Sequence, residues 1–212
     1  MFARGLAAAL VVRTPAEARR AGQGHRSLLL CGEVGGLPPR GFDYGNSPAE
    51  FDKLDLSGRR AVLATTNGTR ALARAAASRA VLAGSLLNLG AAAAEGLRLA
   101  ARNRLDIRIL CAGEDRGRRF GLEDAFAAGA FVECLAAMGR ALQPTDAALA
   151  ARRLYQSYRG RALAALREAQ HGRALEGIGL GSDVTFCAQV DRYTVVPRLH
   201  RSRDGSLWLR AK

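Results

Sequence analysis

Short apolar runs alternate with helical patterns along almost the whole of this 212-residue chain, and a polar cluster follows most of the runs. That alternation constrains the fold more than any other feature. Strands separated by helical segments build layered α/β domains around a sheet. The apolar runs at residues 8–12, 27–31, 60–64, 80–84 and 106–111 are strand candidates, the last with an Ile/Leu content suited to burial on both faces. Residues 195–196 and 206–209 read as edge strands or a C-terminal hairpin. Thr14-Pro15-Ala16-Glu17 and Ser47-Pro48-Ala49-Glu50 are capping boxes with proline at the first helical position, and they open short helices. Further helices are predicted over residues 69–78, 88–103 and 122–138. From Thr145 to about residue 174 the pattern is helical with a break near Gly160, and residues 182–189 carry a weaker helical signal. The expectation is a three-layer α/β/α fold with a largely parallel or mixed sheet. It is read as a single domain over 1–212, with one division near Gln143 that would set off a minor C-terminal lobe, 144–212.

Composition narrows the function classes. The chain carries 32 basic and 19 acidic residues, a net charge of +13, but only Lys53 and Lys212 are lysines. Scattered arginines with few aromatic residues give no platform for stacking bases, so no specific nucleic-acid partner is expected. The surplus positive charge suits small polyanions instead. No apolar run reaches the ~18 residues of a membrane span, and the N-terminus lacks a signal-peptide layout. The expected location is the cytoplasm, with no membrane partner. Cys31, Cys111, Cys134 and Cys187 form no C-x-x-C pair. That disfavours zinc or redox chemistry, and the first three read as small buried residues. The Ala-rich pattern at 88–103 offers a close-packing face for a homo-oligomer.

The polar clusters follow the predicted strands in a regular way. Glu33 follows the run at 27–31, and Thr65-Thr66-Asn67-Gly68-Thr69 follows 60–64. Ser85 and Asn88 follow 80–84, and Glu114 and Asp115 follow 106–111. Ligands of open parallel sheets bind outside the carboxyl ends of the strands, so these four junctions are expected to converge on one edge. The Thr65–Thr69 stretch is the candidate anion cradle. A helix N-terminus presents free N–H groups, Gly68 permits close approach, and Thr and Asn add donors. A plain turn and N-cap would use the same residue types. Asp43, Asn46 and Ser47 lie in a Gly/Pro-punctuated loop. Ser47 has an evident capping role, whereas Asp43 has no such simple job and, with Glu33, offers oxygen ligands to Mg²⁺. Glu123 and Asp124 open a helix, where the macrodipole alone favours acidic residues. Arg116, Arg118 and Arg119 form a cationic loop suited to a sulfonate or phosphate, or simply to solvent. His25, His171 and His200 stand outside every cluster and are expected to be exposed and without catalytic duty.

In order, Gly-Glu, Gly-Phe-Asp-x-Gly-Asn-Ser-Pro, Thr-Thr-Asn-Gly-Thr, Gly-Ser-x-x-Asn, Cys-Ala-Gly, Leu-Glu-Asp-x-x-x-Ala-Gly and Asp-x-x-Phe-Cys-Ala-Gln resemble the motifs of the 2-phosphosulfolactate phosphatases, from about Leu6 to Pro197. The resemblance implies a magnesium-dependent phosphatase of coenzyme M biosynthesis acting on 2-phospho-3-sulfolactate or a related phosphorylated hydroxy acid. Glu33, Asp43 and Asp124 would then be catalytic, and Glu33, Asp43 and Glu123 would hold Mg²⁺. Asn46, Ser47, Thr65, Thr66, Asn67, Gly68, Thr69, Ser85 and Asn88 would contact the substrate. Asp183, Cys187, Gln189 and Asp191 match the C-terminal motif. One departure stands out. Members of the family begin with a strand resembling Ile-Asp-Val-Leu-Arg-Ala-Thr-Thr, whereas this sequence opens on Phe2-Ala3-Arg4-Gly5-Leu6. The expectation is a late start or a truncated relative, with an exposed sheet edge and poor solubility. A truncated relative that still binds small anions without hydrolysing them is the alternative reading.

Overall fold

The computed structural model describes residues 1–25, 27–139 and 142–211. They fall into two compact units. The first unit comprises residues 1–83, 115–117 and the chain from Pro197 onward, and holds the sheet. The second comprises residues 84–114 and 118–196, and is helical. Gln143 lies inside the second unit.

Five strands build one mixed sheet: β1 (Ala8–Val12), β2 (Leu28–Gly32), β3 (Arg60–Ala64), β4 (Arg198–Arg201) and β5 (Leu207–Arg210), in the order β2-β3-β1-β5-β4. β1, β2 and β3 are mutually parallel, with Ala9 opposite Ala61 and Leu29 opposite Ala61. β5 runs antiparallel to β1, and β4 antiparallel to β5. The register sorts the side chains onto two faces. Leu10, Val12, Leu28, Leu30, Val62 and Ala64 point to one side, where Ala18 and Ala21 of α1 (Pro15–Gly22) cover them. Ala9, Val11, Leu29, Cys31, Ala61 and Leu63 point to the other, against Phe51 of α2 (Pro48–Phe51) and Leu72 of α3 (Gly68–Ala75). This unit is therefore a three-layer α/β/α arrangement, as the alternation of the sequence predicts. Both expected N-caps hold their helices: Glu17 N–H donates to Thr14 Oγ1 and Glu50 N–H to Ser47 Oγ, each at 3.1 Å.

The outer edge of β2 is closed by a neighbouring loop. Asp43 and Tyr44 N–H both donate to Leu30 O, Gly32 N–H donates to Tyr44 O and Gly45 O, and Leu30 N–H donates to Asp43 Oδ2 at 2.7 Å. A strand edge capped in this way offers no free ladder to another chain.

In the second unit, α4 (Leu89–Asn103), α5 (Leu122–Ala137), α6 (Asp146–Ser157), α7 (Ala162–Glu168), α8 (Gln170–Gly177) and α9 (Gly181–Cys187) pack around Leu86, Phe126, Ala130, Leu166 and Val184. Phe126 lies against Tyr155 and Tyr158, with centroid separations of 5.3 and 6.0 Å. α5 and α6 cross closely at Gly129, where a Cβ would stand 2.0 Å from Ala151 O. The Arg152–Glu133 ion pair at 2.5 Å ties the two helices.

Three predicted strands are corrected. Residues 80–84 contribute only an isolated bridge, Leu82 with Arg198, beside β4. Residues 106–111 form no strand, and Ile109 and Leu110 are exposed rather than buried on both faces. Residues 195–196 are not a strand either; the edge strand begins after Pro197, which has no N–H to give a ladder. With residues 106–111 outside the sheet, Cys111 is exposed, not buried, while Cys31 is buried as expected and Cys134 is half-buried.

Candidate functional site

The first two junctions meet as the sheet topology requires. β2 and β3 are parallel neighbours whose last residues, Gly32 and Ala64, are in register, so the residues after them emerge side by side. A Cβ at Gly32 would stand 1.9 Å from Ala64 O, so only glycine lets the strands end this close together. Glu33 N–H then donates to Ala64 O. The Glu33 carboxylate turns toward the Thr65–Thr69 loop: Thr66 N–H donates to Oε1 at 2.6 Å, and Thr66 Oγ1 and Gly36 N–H donate to Oε2 at 3.2 and 3.1 Å.

The loop itself is braced from within. Thr69 is buried; its Oγ1 donates to Thr65 O and accepts from Thr65 N–H, while Thr69 N–H donates to Thr65 Oγ1. These bonds fix the backbone ahead of α3. Asn67 occupies the N-cap but makes no side-chain cap bond. Its Oδ1 accepts from Arg116 N–H at 2.8 Å instead. The Arg74 guanidinium donates to Arg116 O at 2.9 Å, so both backbone groups of Arg116 are clamped to α3. Asp115 and Arg116 have φ of 45° and 61°, a left-handed conformation that non-glycine residues rarely adopt. Gly68 is exposed at the mouth of the helix. The result is a rigid loop in which Thr65 Oγ1 takes one first-turn N–H of α3, the Asn67 side chain takes none, and an exposed arginine is held alongside. Arg74 was not singled out from sequence, since nothing in its spacing distinguishes it from other helical arginines.

The neighbouring loop is more structural than the sequence suggests. Asp43, read as having no simple job, accepts from the Leu30 N–H on the free edge of β2. Ser47 caps α2, and Asn46 is exposed. Burial, with the Asp43 carboxylate second, pushes the Cys31 thiol up to about 12, so Cys31 is no thiolate nucleophile near neutrality.

Of the other two junctions, Ser85, Asn88 and Glu114 belong to the second unit and Asp115 to the first, and neither junction follows a strand of the sheet, which corrects the premise of the expected convergence. Ser85 and Asn88 form a capping box at the start of a 3₁₀ turn. Ser85 N–H donates to Asn88 Oδ1 at 2.8 Å, and Asn88 Nδ2 donates to Val195 O at 2.9 Å. Asn88 is buried in that role. Asp191, from the C-terminal motif, accepts from Gly90 N–H at 2.6 Å and so caps α4 from a distance in sequence. Asp183 is buried at the first turn of α9.

At the head of α5, Asp124 Oδ2 accepts from Gly113 N–H at 2.6 Å. Glu123 Oε2 is shielded from solvent and has no hydrogen-bond partner among the described residues. Burial, with repulsion from Asp124 and Glu114, holds the Glu123 carboxyl above the usual carboxylate range. Arg119 donates to Gln170 Oε1 at 3.0 Å. All three histidines are exposed, and the charge of His171 acts on Glu123. Among the described residues no three His, Cys, Asp or Glu side chains gather into a metal cage. Mg²⁺ does not need one: it is commonly held by one or two carboxylates, with water and substrate oxygens completing its shell. The orphaned oxygen of Glu123 beside Asp124 fits such an ion. Glu33 and Asp43 fit it less well, since backbone donors already engage both carboxylates.

Among the described residues no helix is long and apolar enough to cross a membrane. Several curated proteins resemble the chain over most of its length. It is 40% identical over 200 residues to a probable 2-phosphosulfolactate phosphatase of Deinococcus radiodurans, covering 94% of this chain and 80% of that protein. A protein of the same description from Thermus thermophilus is 41% identical over 179 residues, covering 84% and 72%. One from Symbiobacterium thermophilum is 36% identical over 198 residues, covering 92% and 82%. The family model described as 2-phosphosulpholactate phosphatase matches residues 1–202, and the chain belongs to that family.

Proposed function

We propose that the chain hydrolyses 2-phospho-3-sulfolactate, or a closely related phosphorylated hydroxy acid, to the free hydroxy acid and phosphate, with Mg²⁺ as cofactor. Its family makes it a phosphoric monoester hydrolase, whose substrate is a small phosphorylated molecule. The loop ahead of α3 supports the reading of an anionic substrate: Thr65 and Thr69 brace its backbone, the Asn67 side chain makes no cap bond to the helix, and Arg116 is clamped alongside. Backbone N–H groups at a helix N-terminus and a planar guanidinium both match phosphate and sulfonate oxygens. Glu33 keeps Thr66 in place by accepting from both its donors. Within the helical unit, Glu123 with Asp124 beside it is the carboxylate pair that fits a metal ion. When bound, Mg²⁺ supplies charge neutralisation for phosphoryl oxygens. The reaction would take place in the cytoplasm, in the route to coenzyme M.

Phosphate release from 2-phospho-3-sulfolactate, with and without Mg²⁺, tests the reading. Metal-dependent release is expected. Asn67→Ala, which frees the Arg116 N–H, is expected to cut kcat/KM by up to about 100-fold, the cost of a small misplacement of a positioned group. A folded protein that releases no phosphate at any Mg²⁺ concentration, or an Asn67→Ala variant with full activity, would overturn it.

A further inference from the structure

Leu105-Asp106-Ile107-Arg108-Ile109 alternates apolar and polar residues with a period of two, the pattern of a strand with one buried face. The structure leaves this segment unpaired. Residues 106–109 make no backbone hydrogen bond to any described residue and lie in no sheet. Leu105, Ile109 and Leu110 are 40%, 38% and 58% exposed, and the charged residues between them are exposed too. Unpaired strand-forming segments with apolar side chains in water are templates for pairing with another chain.

We propose that residues 105–109 are a docking strand for a second copy of this chain, paired antiparallel across a twofold axis at Ile107. The sequence is self-complementary in that register alone. Asp106 of each copy then faces Arg108 of the other, Leu105 faces Ile109, and the two Ile107 side chains meet. All the apolar side chains share one face, and both ion pairs lie on the other. A register centred on Asp106 sets Asp106 against Asp106 and Arg104 against Arg108. One centred on Arg108 sets Arg108 against Arg108. A shift by a single residue places apolar side chains opposite charged ones. Charge complementarity therefore selects both the partner and the alignment. The seam is short, so self-association in the micromolar range is expected rather than an obligate dimer.

Sedimentation equilibrium from about 1 to 200 µM reads this directly. A reversible monomer–dimer equilibrium is expected. Arg108→Asp, which sets like charges face to face, is expected to weaken it at least tenfold. The double exchange Asp106→Arg with Arg108→Asp restores the ion pairs and is expected to recover the original Kd. Both positions are solvent-exposed, and thermal melts confirm that the variants fold. A monomer throughout the range, a dimer indifferent to Arg108→Asp, or a weakened dimer not rescued by the double exchange would each overturn the proposal.

Discussion

At the scale of single residues, the loop ahead of α3 depends on one hydroxyl. Thr69 Oγ1 both donates to Thr65 O and accepts from Thr65 N–H inside the protein. Thr69→Val keeps the shape and removes both bonds, leaving the half-buried backbone N–H and C=O of Thr65 without that partner. The expected loss is about 1–3 kcal/mol of stability, read by chemical denaturation, together with a fall in phosphatase activity. Glu123 works in the opposite sense. Its folded-state pKa is raised, so its contribution to stability is present below the unfolded-chain value, about 4.3, and is lost as pH rises through the folded value. At neutral pH the charged form is therefore a cost. Glu123→Gln is expected to raise the melting temperature near pH 7 by on the order of 2 °C, with the gain shrinking as pH falls toward about 4. With Glu123 as the proposed metal ligand, the same variant is also expected to release phosphate no faster with Mg²⁺ than without it. A melting temperature unchanged or lowered at pH 7 would mean that Glu123 is better solvated than its surroundings indicate.

At the scale of elements, Gly32 and Gly129 mark close approaches that no other residue fits. Gly32→Ala would push a methyl group into Ala64 O at 1.9 Å and part the ends of β2 and β3 just where Glu33 and Thr66 meet. Gly129→Ala would drive α5 off the α6 backbone at Ala151. Each is expected to cost about 3 kcal/mol or more, or to abolish soluble expression. Only Gly32→Ala is expected to disturb the site loop if a folded fraction survives. Elements held by near neighbours were legible in the sequence. β1 and β3 fall at the expected residues, and the Thr14 and Ser47 caps hold as read, because capping and alternation act within a few positions. Residues 80–84 and 106–111 carry equally good strand patterns but lie outside the sheet. Pattern gives the capacity to form a strand, and the ladder partner decides whether it forms. The site shows the same divide. Glu33 beside the Thr65–Thr69 loop follows from two adjacent parallel strands. The service of Asp43 to Leu30 and of Asn88 to Val195 spans 13 and 107 positions, beyond any local spacing rule.

At the scale of the whole molecule, the chain divides into a sheet unit and a helical unit whose boundaries cross the sequence several times. Long-range contacts set that interleaving, and no local spacing in the sequence records it. The single tryptophan of the chain, Trp208, lies in β5. The Arg60 guanidinium stacks over its ring at 4.4 Å, and its indole N–H donates to Ser206 Oγ at 2.9 Å. Arg60 and Trp208 both belong to the sheet unit, and the helices α4–α9 contain no indole at all. Intrinsic fluorescence therefore reports the sheet unit directly, whereas ellipticity at the helix band is dominated by the other. The protein carries its own pair of orthogonal optical probes, and recording both during one melt shows, without any label, whether its two halves come apart together.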